Sequence, residues 1–260
     1  MSEPIPRFSE IFFELYESLP RQGPGNRACA ERAIGMCSDL PPSPRVLDLG
    51  CGVGGQTLHL VRLLPGARIT ALDSHAPSIE RLCAVIAARG ISDRVQPVVG
   101  DMAEPGQRAE SFDLVWSEGA LYNLGIENAL RICRGLLRPG GYVAFTDAVW
   151  RRENPPPDLR KSFEADYPTM GRVPDVLAAI GRTGLSLVGH FTLSDEAWWQ
   201  DFYTPMERGI ELLRGKYAGD IEALAALDRM AQEPEMHRRY GDFYAYEFFV
   251  ARRTTGGPEA

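Results

Sequence analysis

The sequence predicts an α/β fold in which a mostly parallel sheet is wound with helices on both faces. Short apolar runs rich in Val, Leu, Ile and Phe recur from residue 45 onward, and helical segments separate them. The runs are apolar nearly throughout, as strands buried on both faces must be.

In chain order, residues 7–19 (RFSEIFFELYESL) and 26–40 have helical texture, and RQGPG (21–25) between them carries the glycines and proline that break a helix. After the linker PPSP (41–44) come the strand-like runs RVLDLG, ARITALD, RVQPVVGD, FDLVWSEG and GYVAFTDAV. Helical segments Gln56–Leu64, Pro77–Arg89 and Glu127–Leu137 lie between them. A helix over Val173–Thr183 leads into LSLVGHFTLS, and the last strand-like run is FYAYEFFVARR. Residues 195–242 read as mostly helical and are too long for a hairpin loop. The expected organisation is a helical arm (1–44), a core (45–194), a helical insertion (195–242), the last strand (243–253) and a disordered tail, TTGGPEA (254–260).

Composition narrows the function classes. Hydrophobic residues make up 44% of the 260 and charged residues 24%, as in soluble globular proteins. No apolar run approaches the roughly 20 residues that cross a bilayer, so no membrane partner is expected. The opening MSEPIPRFSE has no secretory pattern, which makes the cytoplasm the expected location. A formal charge of −7 with no basic stripe argues against a nucleic-acid partner. The five cysteines (Cys29, Cys37, Cys51, Cys83, Cys133) are scattered, form no CxxC pair, and read as reduced core residues. No metal site is expected.

The segment VLDLGCGVGGQT (46–57) satisfies GxGxxG with Gly50, Gly52 and Gly55. Gln56 and Thr57 follow, so it is not the phosphate loop that ends in Lys and Ser or Thr. Asp73 closes the second strand where an acid grips ribose hydroxyls, which suits a nicotinamide or flavin dinucleotide as well as other adenosine ligands. NADP is disfavoured because SHAPS (74–78) offers no arginine. Asp48 discriminates further: a carboxylate two residues before Gly50 repels a pyrophosphate and suits an ammonium group, which S-adenosyl-L-methionine carries. Gly100 and Asp101 end the third strand, where a carboxylate can accept from the adenine amine.

With VLDLGCGVGG, ALD, GDM, FDLVWSEG and LLRPGGYVAF in this order across about residues 45–150, the chain resembles the class I S-adenosylmethionine-dependent methyltransferases. The resemblance implies a Rossmann-like, seven-stranded, mostly parallel sheet with an antiparallel last strand. RQGPG, SEGALYN (117–123) and WWQDFYTP (198–205) are similar to a little-characterised bacterial group of these enzymes. That narrower resemblance implies that Arg21, Gln22 and Gly23 reach the cofactor. The candidate cofactor-binding set is Tyr16, Arg21, Gln22, Gly23, Asp48, Gly50, Cys51, Gly52, Asp73, Ser74, Gly100, Asp101, Met102 and Ser117.

A sulfonium methyl is already electrophilic, so the protein has to align a nucleophile and exclude water. Glu118 and Tyr122, beyond the fourth strand, are the candidate catalytic residues, and Asn123, Asp147, Trp150, Trp199 and Tyr203 the candidate substrate contacts. Trp116, inside a strand, reads as core. His59 falls in a helix, His190 in a strand and His237 in a polar segment, while His75 follows Asp73 near the expected adenosine. The expected activity is methyl transfer to a small-molecule substrate. The alternatives are an NAD-linked oxidoreductase and a noncatalytic nucleotide-binding or interaction protein on the same scaffold. The insertion is expected to close as a lid with the arm around Tyr16, and a homodimer interface is its competing role.

Overall fold

A computed structural model describes residues 7–254, so the tail reading at 255–260 and the first six residues lie outside the described residues. The chain opens with α1 (Phe8–Ser18) and α2 (Arg27–Gly35). It then runs through β1 (Arg45–Leu49), α3 (Gly55–Leu63), β2 (Arg68–Asp73), α4 (Ala76–Ala88), β3 (Val95–Val99), β4 (Phe112–Glu118), α5 (Ile126–Leu136) and β5 (Leu137–Trp150). After α6 (Pro157–Asp166), α7 (Val173–Arg182) and β6 (Leu185–Thr192) come α8 (Glu196–Trp198), a π-helical turn (Trp199–Tyr203), α9 (Thr204–Lys216), α10 (Ile221–Tyr240) and β7 (Tyr244–Arg253).

The strands form one seven-stranded sheet in the order β3-β2-β1-β4-β5-β7-β6. The pairs from β3 through β5 are parallel, and β7 pairs antiparallel with both β5 and β6. The fold class is therefore as expected, including the reversed last strand. The winding direction changes between β1 and β4, which leaves a crevice outside their carboxyl ends, the usual place for a ligand in such a sheet.

Both sheet faces are covered. On one, Ala30 and Ala33 of α2, Leu60 of α3 and Leu82 of α4 pack against Val46, Ile69, Leu114 and Trp116. On the other, Leu130 and Cys133 of α5 and Ile180 of α7 pack against Leu47, Val115, Phe145 and Phe249. A third apolar cluster joins Ile11 and Leu15 of α1 to Phe202, Met206, Leu227 and Met230 of the insertion, and reaches the sheet at Ala148 and Trp150 of β5 and Tyr244 and Tyr246 of β7. It caps the carboxyl end of β5.

Three local readings change. The helix expected over 26–40 ends at Gly35; its start is fixed by Asn26, whose side chain accepts from the Cys29 amide at 3.0 Å. Helix α6 has no counterpart in the sequence reading, although Pro157 at its first turn followed by Asp158 suits a helix start. Cys83 is exposed, unlike the other four cysteines, because the buried stripe of α4 runs through Ile79, Leu82 and Ile86 and leaves position 83 outside it. Among the described residues no helix is long and apolar enough to cross a membrane.

The arm and the insertion meet at close range. A Cβ on Gly209 of α9 would stand 2.6 Å from Leu15 Cδ1, so the contact needs glycine there. Glu14 of α1 accepts from Lys216 Nζ and from the Tyr217 hydroxyl, each at 2.6 Å. Gly209→Val should push α1 off α9 and cost about 1–3 kcal/mol by overpacking. Hydrogen exchange over residues 8–18 should then quicken while the β1–β5 amides stay protected.

Candidate functional site

A cavity of about 240 Å³ opens outside the carboxyl ends of β1, β2 and β4. It is narrower than the ~300 Å³ at which ordinary ligand pockets begin. Arg21, Gln22 and Gly23 stand over it, Gly50, Cys51 and Gly52 form one wall, and Asp73, Ser74, Met102, Glu118 and Asn123 complete the predicted residues on its lining. Val53, Gly55, Gln56, Gly119 and Ala120 also line it and were not predicted.

The glycine loop is anchored by its own backbone. The amides of Gly50 and Cys51 both donate to the Leu72 carbonyl, at 2.8 and 3.0 Å, which ties the loop to β2. Gly50 has φ 73°, and a Cβ there would sit 2.4 Å from Ala120 Cβ; Gly52 has φ 51°, and its Cβ would meet Gln22 Oε1 at 2.2 Å. The Asp73 carboxylate accepts from the Gly52 amide at 2.8 Å and the His75 amide at 2.9 Å, so it braces the loop against the start of α4.

Asp48 does not reach the cavity wall. It is fully buried under the loop, where Thr57 Oγ1 donates to it at 2.5 Å and Gln56 Nε2 at 3.4 Å. Burial, with the Glu118 charge nearby, pushes its carboxyl up to about 7. The expectation of an acid at the loop mouth is corrected accordingly: this strand residue points into protein, and holds α3 and the loop together. Ser117 is likewise buried and donates to the Leu49 carbonyl at 2.8 Å. Gly100 and Asp101 lie past β3 and off the cavity lining; Asp101 Oδ1 accepts from its own turn at Ala103.

Glu118 is held by two donors. Its Oε2 accepts from Arg21 Nη2 at 2.8 Å and its Oε1 from Trp116 Nε1 at 2.8 Å, with the two ion-pair side chains 4% and 1% exposed. Arg21 also donates to the carbonyls of Gly23 and Pro24, yet its Nη1 is buried without a partner. Trp116 is core, as read from its strand.

The remaining predicted residues gather in a second region beside the cavity, at the end of β5 and under the insertion. Tyr16 and Tyr203 both donate to Glu233, at 2.8 and 3.3 Å. Tyr122 lies against Tyr167, ring centroids 5.0 Å apart, and Tyr167 donates to Asp147 at 2.9 Å. Trp150 packs edge-on to Phe163, and Trp199 lies under the Arg238 guanidinium at 4.4 Å. His75 stacks on Phe13 and pairs with Glu17. His237, read as part of a polar segment, is instead buried on α10 against Trp198, with Tyr244 and Asp195 as hydrogen-bond partners. The sequence reading missed Glu233, Tyr167 and Tyr246; the alternation of Tyr244, Tyr246 and Phe248 along β7 was the available signal for the last.

Two outcomes follow from the buried charges. Arg21→Met should leave Glu118 uncompensated and cost about 3–5 kcal/mol in denaturant unfolding, whereas adding Glu118→Gln should recover part of the loss. For Asp48, the unfolded carboxyl sits near ~3.9 and the native one near 7. The native state therefore binds the extra proton between these values, so this stabilisation is complete below the lower one and is lost as pH rises through the upper one, at roughly 1.4 kcal/mol per pH unit. Unfolding of wild type and Asp48→Asn compared between about pH 4 and 7 should shift in favour of the variant as pH rises.

Residues 46–141 match the family described as "Methyltransferase domain". A sterol 24-C-methyltransferase of Gibberella zeae is 26% identical over 200 residues, covering 74% of this chain and 51% of that protein. A glycine/sarcosine/dimethylglycine N-methyltransferase of Actinopolyspora halophila is 30% identical over 116 residues, covering 43% of this chain and 20% of that protein. The chain thus spans about half the length, or less, of these curated relatives. Among solved structures, a SAM-dependent methyltransferase from Geobacter sulfurreducens in complex with S-adenosyl-L-homocysteine superposes with TM-score 0.80 at 21% identity, over 93% of this chain and 97% of that one. A putative sarcosine dimethylglycine methyltransferase from Galdieria sulphuraria gives 0.74 at 17% identity, over 95% and 98%. The chain has the Rossmann-like α/β fold of the SAM-dependent methyltransferases, and residues 46–141 carry its match to the methyltransferase-domain family.

Proposed function

We propose that the chain is an S-adenosyl-L-methionine-dependent methyltransferase acting on a small-molecule acceptor. The observation that carries this reading is the donor set of the cavity: Arg21, with a buried Nη1 that lacks a partner, and Asp73, a carboxylate at the end of β2, line the same space as the glycine loop. An amino-acid carboxylate suits the first, and ribose hydroxyls suit the second. When bound, S-adenosyl-L-methionine supplies an electrophilic methyl group. The chain's own contribution is to hold that ligand and to keep water from the acceptor.

Within this reading Asp73 takes the ribose, and Gly50, Cys51 and Gly52 let the ligand approach the backbone. Asp48 acts as a positioning residue through Thr57 and Gln56. Glu118, with both oxygens engaged, positions Arg21 and the RQGPG segment, and Tyr122 and Asn123 stand at the border between cavity and acceptor space. The arm (1–44) and insertion (195–242) form a lid on the core (45–194) and last strand (243–253), supported by the apolar cluster they share above β5. Membership of the bacterial group with RQGPG and SEGALYN, a cytoplasmic setting and the absence of a nucleic-acid partner belong to the same reading, the last supported by the net charge of −7.

Thermal shift with S-adenosyl-L-homocysteine against NADH separates this reading from an oxidoreductase, since only the ligand that binds raises the melting temperature. Asp73→Ala should weaken S-adenosyl-L-homocysteine binding by about 1.5–3 kcal/mol in calorimetry, as loss of a charged hydrogen-bond partner does. A shift with NADH alone would overturn the assignment.

A further inference from the structure

The starts of the strands carry a second concavity. A cavity of about 480 Å³ opens at the amino ends of β1, β2, β3 and β4, twice the volume of the one at the opposite end of the sheet. It falls within the roughly 300–1,000 Å³ of ordinary small-molecule sites. Its floor is apolar: Ile69, Val95 and Phe112 are 2%, 3% and 1% exposed. Arg45, Arg68 and Arg94 stand around it, and Asp93 is the one acid on the lining.

Strand register sets the three arginines in a row. Arg45 and Arg68 are partners across β1 and β2, and the Ile69 amide donates to the Arg94 carbonyl at 2.8 Å, which puts Arg94 beside Arg68 at the entry to β3. Val46, Ile69 and Val95 pack on the face covered by α3 and α4, so alternation along the strands sends Arg45, Arg68, Thr70 and Gln96 to the other face. Helices α5 and α7 cover that face farther along the sheet, and the connection from β3 to β4, residues 100–111, forms no helix to extend the cover.

Like charges on adjacent strands repel, and nothing offsets them here. Among the described residues none of the three arginines forms an ion pair. Asp113, which follows Phe112 on β4, is taken by Arg138 Nη1 and by the Arg45 amide, each at 2.8 Å. Arg94 is fixed in place: Nη2 donates to the carbonyls of Val61 and Leu64 at the end of α3, at 2.9 and 2.8 Å, while Nε is buried with no partner. Three guanidiniums against one carboxylate leave two positive charges around this cavity, on a chain whose formal charge is −7.

Guanidinium forks match phosphate oxygens, and Thr70 and Ser92 add hydroxyl donors to the lining. A merely solvated row of arginines needs neither the concave apolar floor nor the anchoring of Arg94. We propose that this cavity binds a phosphate-bearing small molecule. Strand β1 holds the two ends of the sheet about 15 Å apart, so this ligand is not the methyl acceptor. The proposal does not rest on the methyltransferase reading.

Sodium pyrophosphate titrated into the whole chain saturated with S-adenosyl-L-homocysteine, against sodium chloride of equal ionic strength, probes this cavity with the other one filled. Pyrophosphate should bind saturably. Arg45→Gln combined with Arg68→Gln should weaken it at least about tenfold and leave S-adenosyl-L-homocysteine affinity unchanged, which also reports that the variant folds. Glycerol 3-phosphate and inorganic phosphate in the same titration tell a phosphoester from the free anion, and binding of either that needs the two arginines supports the proposal. Binding no stronger than chloride accounts for, affinity indifferent to the double substitution, or binding of an oligonucleotide but of none of the small phosphates overturns it. Failure of S-adenosyl-L-homocysteine to bind the wild type would overturn the cofactor reading instead. The same comparison on the free chain, with folding checked by thermal unfolding, would still decide the cavity.

Discussion

The buried ion pair between Arg21 and Glu118 is the joint on which the site depends. Taking both charges out of water costs more than an exposed pair can recover, and the geometry offsets this with further hydrogen bonds: Trp116 on the acid, two backbone carbonyls on the guanidinium. Such packing leaves no room for side chains nearby. A Cβ on Gly25 would meet Arg21 and Glu118 at 2.5 Å, and one on Gly55 would meet Arg21 Cγ at 2.6 Å. The Gly25 amide donates to the Ala197 carbonyl at 2.9 Å, so the same segment fastens arm, glycine loop, β4 and insertion at one point.

That arrangement divides the acids of the site by what answers them. Glu118 has a guanidinium, Asp73 has backbone amides, and Asp48 has a hydroxyl and an amide. Asp147 and Glu233 have only phenols. The first group organises the loop and its supports. In the second group Asp147 is sealed at the end of β5 with one oxygen unpartnered, while Glu233, on α10 of the insertion, is open to solvent.

The strands and their winding were legible because double-faced burial leaves a continuous apolar signature, and the glycine spacing marked the crevice. Depth was not legible. Asp48 and Asp73 each sit near the end of a strand, yet one points beneath the loop and the other lines the cavity, a difference set by side-chain direction. Likewise the run MHRRY looked polar although His237 turns inward, because only one face of α10 meets the aromatic cluster. Glu233 was invisible for a related reason: on a surface-patterned helix only its two phenolic donors, Tyr16 of the arm and Tyr203 of the insertion, set it apart from other exposed acids. Residues 151–172 were given no element because the proline run masked the helix that begins at Pro157.

Strand β7 lies between β5 and β6 but is the last of the three along the chain. Until residues 244–253 are available, β5 and β6 have no common partner and each presents an open edge, the form of a sheet most prone to wrong pairing. The same ten residues bring Tyr244 and Tyr246 to the apolar cluster above β5. Closure of the sheet and completion of that cluster are thus both governed by contacts of long sequence separation, and the slow step of folding is expected to coincide with them.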